Sequence, residues 1–221
     1  VTADTSGAGR YEEARAVHEN DGVADRCALI EVAGRCFAEL GYDKTTEAVI
    51  AENAGRSVTD FRRHFRSTKD AFHAVAAAVF EKFLEAQRTA VPPDADPRTV
   101  LGAATAAFID TVYSVGRLFT VIEARAAVDP VVGEQLSQAH TRILARYTRF
   151  IERLDEAGIA RPCAEAAQLA RKLSDAQWRG AAHLIGASPD EQRRFIVEMT
   201  AAAERFIGFD CDTELVERPA C

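Results

Sequence analysis

The chain has 221 residues, 48% of them hydrophobic and 28% charged, with a formal net charge of −7. That mixture suits one large domain or two small ones, and it excludes collagen-like, low-complexity and wholly disordered chains. Apolar runs such as 74–80 fall far short of the ~20 residues that span a bilayer, and residues 1–13 lack the basic and apolar regions of a secretory signal, so a non-membrane, cytoplasmic protein is expected.

Residues 1–22 read as a flexible acidic tail. From Asp25 onward helix follows helix, with no alternating strand pattern. The first helix spans about 25–40, with Ile30, Ala33, Phe37 and Leu40 as an apolar stripe and Gly41 at its C-terminal cap. Thr45 or Thr46 caps a short helix, TEAVIAENA, which Gly55 breaks. Ser57 caps a second short helix, VTDFRRHF, whose Val58, Phe61 and Phe65 face inward. A long helix of about 69–90 follows, capped by Ser67 or Thr68. The segment VPPDADP at 91–97 stops it and restarts the chain. Further helices are predicted at about 98–115, 117–127, 131–157, 163–186 and 190–208, before a frayed tail at 211–221.

Five cysteines, at 27, 36, 163, 211 and 221, are odd in number and form no C-x-x-C pair, so reduced thiols are expected rather than disulfides or zinc. No two histidines are three or four apart, and no phosphate loop or nucleophile elbow is present. No metal, cofactor or catalytic residue is predicted.

The acidic total hides a local basic patch. Residues 25–70 carry eight bases and eight acids, and within them 56–69 carries five bases and one acid. The two short helices are joined by Ala54-Gly55-Arg56, a tight turn of helix-turn-helix type. In such a motif the second helix turns its outward side chains to the major groove. With Val58, Phe61 and Phe65 inward, Arg56, Ser57, Thr59, Asp60, Arg62 and Arg63 face outward, and these groups suit base edges and phosphates. Thr45 and Thr46, beside a helix N-terminus, suit phosphate oxygens. A plain solvated helix face is the alternative.

Residues 25–80 resemble the DNA-binding domain of the TetR family of transcriptional regulators. The resemblance rests on Phe37-Ala-Glu-Leu-Gly41-Tyr42, Thr45-Thr46, Ile50-Ala51, Ala54-Gly55, Ser57, Phe61, His64-Phe65, Ser67, Lys69-Asp70 and Phe72-His-Ala-Val75. It implies an all-α fold, with a helix-turn-helix domain at 23–70 and a helical ligand-binding and dimerisation domain at 71–210. It adds His64 and Lys69 to the DNA contacts. Arg62 stands where the family usually has a tyrosine that meets phosphate, and the turn at 66–68 is one residue longer than usual.

For the C-terminal helices, Phe80, Phe83, Phe108, Tyr113, Phe119, Glu123, Tyr147 and Trp178 are the candidate lining of an apolar pocket with polar handles. The acidic charge of this region favours a neutral or cationic ligand. Leu169, Leu173, Ala181, Leu184, Ile185, Phe195, Met199 and Phe206 on the last two helices are the candidate dimer interface, against the alternative of an intramolecular core. The expected protein is a homodimeric regulator, a repressor released from a palindromic double-stranded operator by a small apolar effector. The other readings are an all-α interaction protein, or an enzyme acting on an apolar substrate, neither binding DNA.

Overall fold

The computed structural model describes residues 6–89 and 95–209. These contain α1 (Ser6–Leu40), α2 (Glu47–Asn53), α3 (Val58–His64), α4 (Thr68–Thr89), α5 (Pro97–Val115), α6 (Arg117–Ala126), α7 (Pro130–Glu156), α8 (Ala166–His183) and α9 (Pro189–Ile207), with no strand among the described residues. The helix limits follow the caps. Ser57 and Ser188 each form a reciprocal box with the residue three later, Asp60 and Glu191. Asp96 and Asp129 cap α5 and α7 ahead of Pro97 and Pro130, whose missing N–H costs nothing in a first turn. The departure is α1, which begins well before Asp25. Residues 6–24 hold no proline and many good helix formers, such as Glu12, Ala14, Arg15 and Ala16, so a helix needs no apolar stripe there. Residues 1–5 and the expected tail at 211–221 lie outside the described residues.

The chain divides into two compact units at Ala78/Val79, within α4, rather than at the expected residue 70. The first half of α4 belongs to the N-terminal core because Ala71, Phe72, Val75 and Ala76 are buried there with Leu29, Val32, Ala33, Cys36, Phe37, Ile50, Phe61 and Phe65. In α1 the inward stripe is offset from the expected one: Leu29, Val32 and Cys36 are buried beside Ala33 and Phe37, whereas Leu40 is exposed. Phe72 meets Phe37 and Tyr42 edge-on, at 4.8 and 4.9 Å between ring centroids, the geometry that aromatic quadrupoles favour.

The C-terminal unit has two apolar centres. Leu101, Ile151, Leu154, Leu169, Leu173, Ala203 and Ile207 pack α5, α7, α8 and α9 together. Phe83, Phe108, Phe119 and Trp178 form an aromatic cluster, with Phe119 and Trp178 at 4.3 Å. Helix α9 ends at Gly208, whose φ is +81°. A Cβ added there would lie 2.1 Å from the carbonyl oxygen of Arg161, on the strip where Arg161 N–H donates to the Gly208 carbonyl at 3.1 Å and Cys163 N–H to the Phe206 carbonyl at 3.0 Å.

Gly208→Ala must therefore adopt a left-handed backbone and push against backbone that cannot turn aside. We expect it to lower unfolding free energy by about 2–5 kcal/mol, from ~1–2 kcal/mol of conformational strain plus ~1–3 kcal/mol of overpacking. Urea unfolding followed by circular dichroism checks this, and an unchanged midpoint would contradict it.

Candidate nucleic-acid interface and internal cavities

Helices α2 and α3 are seven residues each, too short to persist alone, so their placement depends on the turn and the core. The turn is a Schellman closure: Gly55 N–H donates to the Glu52 carbonyl and Arg56 N–H to the Ala51 carbonyl, at 3.0 and 2.9 Å. Gly55 holds φ at +63°, a conformation a side chain would resist. Ile50, Phe61 and Phe65 then fix both helices to the core, and the Arg26 guanidinium lies 4.9 Å over the Phe65 ring.

The exposed face of α3 and its flanks carries Ser57, Thr59, Arg62, Arg63 and Lys69 at the surface, with His64 half-buried. Thr46 is exposed and caps α2, its hydroxyl accepting from Val49 N–H at 3.2 Å. Thr45, expected beside it, is 4% exposed. Its hydroxyl donates towards the Gly41 and Cys36 carbonyls, at 2.7 and 3.2 Å, so it closes the end of α1 and does not reach the surface. Asp60 closes the α3 box: Ser57 Oγ donates to its carboxylate at 2.6 Å, and Asp60 N–H returns a bond to Ser57 Oγ at 3.1 Å.

Three arginines on or beside α3 have carboxylate partners inside the domain. Arg56 reaches Asp25 of α1 at 2.5 Å, Arg62 Nε reaches Glu47 of α2 at 2.8 Å, and Arg63 pairs with Asp60 at 3.1 Å. Asp25 and Glu47 were not singled out by the sequence, because nothing in helical spacing links positions so far apart. Arg56 is about one-third exposed, against 66% and 73% for Arg62 and Arg63. It ties α1 to the turn, while Arg62 and Arg63 are the accessible cations.

The hydrogen bond from Arg56 holds the Asp25 carboxyl below its ordinary value. Hydrogen bonds from the Ser57 hydroxyl and N–H do the same for Asp60. Carboxylates with depressed folded values stabilise fully above the unfolded value, about pH 4, and lose that contribution as pH falls through the folded value. We expect Asp60→Asn to be less stable than wild type at pH 7, with the gap narrowing below about pH 4. Parallel urea titrations at pH 7 and pH 3 measure it, and a constant gap would show that the charge on Asp60 has no part in the cap.

The predicted pocket residues separate into three groups. Phe108 and Tyr147 line a cavity of about 180 Å³ between α4, α5, α7 and α8, with Leu101, Thr105, Ile143, Arg146, Phe150, Arg153 and Gln177. Glu123 and Trp178 line a wider, more open cavity of about 590 Å³, with His140, Asp175 and Arg179, and the indole N–H donates to Glu123 at 2.6 Å. Phe80, Phe83, Tyr113 and Phe119 line neither. Phe83 and Phe119 pack on one another, 5.9 Å between ring centroids.

In the smaller cavity the Tyr147 hydroxyl is shielded from solvent and has no partner at hydrogen-bonding geometry. Burial pushes its pKa far up, and the nearby Gln177 amide pulls weakly the other way. An unpaired buried hydroxyl costs about 1–3 kcal/mol. Gln177 and Thr105, 4% and 3% exposed, stand 3.5 Å apart on the same wall. Gln177 had a sequence signal, as a polar residue beside an apolar stripe. Arg146 and Arg153 had none.

The predicted dimer residues also divide. Leu169, Leu173 and Ala181 are buried within the single chain, the first two in the core that α8 shares with α5, α7 and α9. Leu184, Ile185, Phe195 and Met199 are half-buried, and Phe206 is 50% exposed. Among the described residues no group of three His, Cys, Asp or Glu could hold a metal ion, and no single helix is long and apolar enough to cross a membrane.

No family sequence model matches the chain, and no curated protein sequence does. Solved structures do. A transcriptional regulator from Rhodococcus sp. is 19% identical, with 81% of this chain and 96% of that one covered at a TM-score of 0.68. A tetR-family regulatory protein, also from Rhodococcus, is 18% identical over 83% and 97%, with a TM-score of 0.68. A ketosteroid transcriptional regulator from Mycobacterium tuberculosis is 18% identical over 80% and 93%, at 0.64. Over most of its length, the chain has the all-α, helix-turn-helix fold of the TetR-family transcriptional regulators.

Proposed function

We propose that the protein is a ligand-responsive transcriptional regulator that binds a palindromic operator as a homodimer and acts as a repressor released by a small molecule. The observation that carries this reading is the α3 surface. Thr59, Arg62 and Arg63 stand exposed on the second helix of a helix-turn-helix, fixed from beneath by Phe61 and Phe65. Arg62 and Arg63 are the primary DNA-contacting cations, supported by Thr46, Ser57, Thr59, His64 and Lys69. Arg56 and Asp60 hold the reading helix in place. Thr45 has no part in the contact.

Helix α4 gives the two events a common element, since its Phe72 and Val75 belong to the N-terminal core and its Phe83 and Leu84 are buried in the C-terminal unit. A ligand that favours one position of α4 would change operator affinity by the same factor by which operator changes ligand affinity.

Gel shifts against DNA flanking the protein's own gene test DNA binding. An arginine that reads a base should cost about 1–3 kcal/mol when replaced by alanine and relax specificity at one position. An arginine that meets phosphate should weaken all sequences alike and reduce the salt slope by about one. We expect Arg62→Ala to behave in the second way. A folded Thr59→Ala/Arg62→Ala/Arg63→Ala variant that keeps wild-type affinity would overturn the assignment.

The proposed dimer interface lies on the partly exposed side of α9, where the Phe195 ring also rests against Gly180 of α8. Phe195, Met199, Ala202 and Phe206 recur at spacings of four, three and four, one stripe of a helix, and none of the four is buried. Phe206→Glu should yield a folded monomer in sedimentation velocity. Leu173→Glu, placing a charge in the core, should unfold the protein instead. A Phe206→Glu variant that stays dimeric would place the interface elsewhere.

A further inference from the structure

The two cavities of the C-terminal unit differ in charge. The wider one is bordered by Glu123 and Asp175 as well as His140 and Arg179. The smaller one is bordered by two guanidiniums, Arg146 and Arg153, and by no carboxylate. Among the described residues, neither arginine has a carboxylate within ion-pair distance. Arg146 is half-buried and spends one N–H on the Leu84 carbonyl, at 3.4 Å, whereas Arg153 is exposed. The next residue along α7 from Arg146 is Tyr147, whose shielded hydroxyl has no partner at full hydrogen-bonding geometry, with the Gln177 amide nearby. The rest of the wall is largely apolar, with Leu101, Phe108, Ile143 and Phe150.

We propose that this cavity binds a compact ring carboxylate, with the ring against Phe108 and Phe150, the carboxylate on Arg146, and an acceptor oxygen on the Tyr147 hydroxyl. The inference rests on the ligand-responsive reading above and narrows its effector to one chemical class. Size favours a compact ligand. A volume of about 180 Å³ is near the ~150 Å³ that accommodates benzene and below the ~300 Å³ at which drug-sized sites begin. Charge decides the rest. The C-terminal unit is acidic as a whole, but exposed charges are screened beyond about 10 Å, so a ligand inside responds to the guanidinium on the wall. A planar guanidinium pairs with a carboxylate through two parallel hydrogen bonds. Arg153 lies seven residues on, about 10 Å along the helix, and is exposed where Arg146 is half-buried, so Arg146 is the better-shielded partner for a carboxylate.

The test is titration calorimetry of the full chain with benzoate, benzamide and benzamidinium, which share a ring and differ in charge. Benzoate should bind about tenfold tighter than benzamide, and benzamidinium should bind weakest. Arg146→Gln should remove the preference for benzoate, Arg146→Lys should restore part of it, and Arg153→Gln should leave most of it. Tyr147→Phe should weaken salicylate, which carries a second oxygen, more than benzoate. Equal affinity for benzoate and benzamide, tighter benzamidinium, or no binding by any of the three would overturn the proposal. Operator release is read on the same samples by gel shift. Arg146-dependent benzoate binding with no effect on the operator would uphold the cavity's chemistry and overturn the ligand-responsive reading.

Discussion

Two seven-residue helices cannot hold themselves in place, and the N-terminal unit is organised around that constraint. Each of α2 and α3 gains about one hydrogen-bonded turn beyond the costly nucleus, so the free energy must come from outside the helix. The caps at Thr46 and Ser57 satisfy N-terminal N–H groups, each worth about 1 kcal/mol. The Schellman closure at Gly55 satisfies carbonyls. Ile50, Phe61 and Phe65 supply burial. What is left over, the outward face of α3, is free of structural duty except where charge pairs cross it.

Those charge pairs shape how the surface can act. Asp25, Glu47 and Asp60 sit against Arg56, Arg62 and Arg63, so each arginine already has a carboxylate partner within the domain. Exposed pairs of this kind contribute little to stability. Their larger effect is on orientation. Under the proposed function, a phosphate or a guanine edge would compete with a carboxylate for Arg62 or Arg63. The net charge of the patch stays modest, which favours contacts of defined geometry over general attraction to polyanion.

The helices were legible because their ends carry chemistry that works locally. Gly41, Gly55, Ser57, Asp96-Pro97 and Ser188-Pro189 act on their own neighbours within a few residues, and the structure places helix ends at each. What a helix face meets across space was not legible. Leu173 and Phe206 both lie on apolar stripes, yet one is core and the other surface, because periodicity gives the direction of a side chain and not what lies opposite. Thr45 and Asp60 carry hydroxyl and carboxylate groups suited to DNA, but hydrogen-bonding capacity is spent on whichever partner is nearest, here the end of α1 and the start of α3. The cavity wall was legible only in part, for a related reason. Phe83 and Phe119 are large and apolar, and such side chains fill space as readily as they border it. The arginines that give the smaller cavity its character read in sequence as ordinary solvated charges on α7.

Trp178 is the only tryptophan in the chain, and its surroundings make it an optical probe of one place. The indole borders the wider cavity, lies 4.3 Å from Phe119 and donates its N–H to Glu123 at 2.6 Å. Indole emission depends on the polarity around the ring and on that N–H bond. Intrinsic tryptophan fluorescence therefore reports the α4–α5–α6–α8 aromatic cluster. A molecule entering the wider cavity alters the wall that the indole forms, whereas one confined to the smaller cavity meets Phe108, whose centroid is 6.1 Å from the indole, and Gln177, the residue before it on α8. The two cavities are thus distinguishable by colour and intensity without any label.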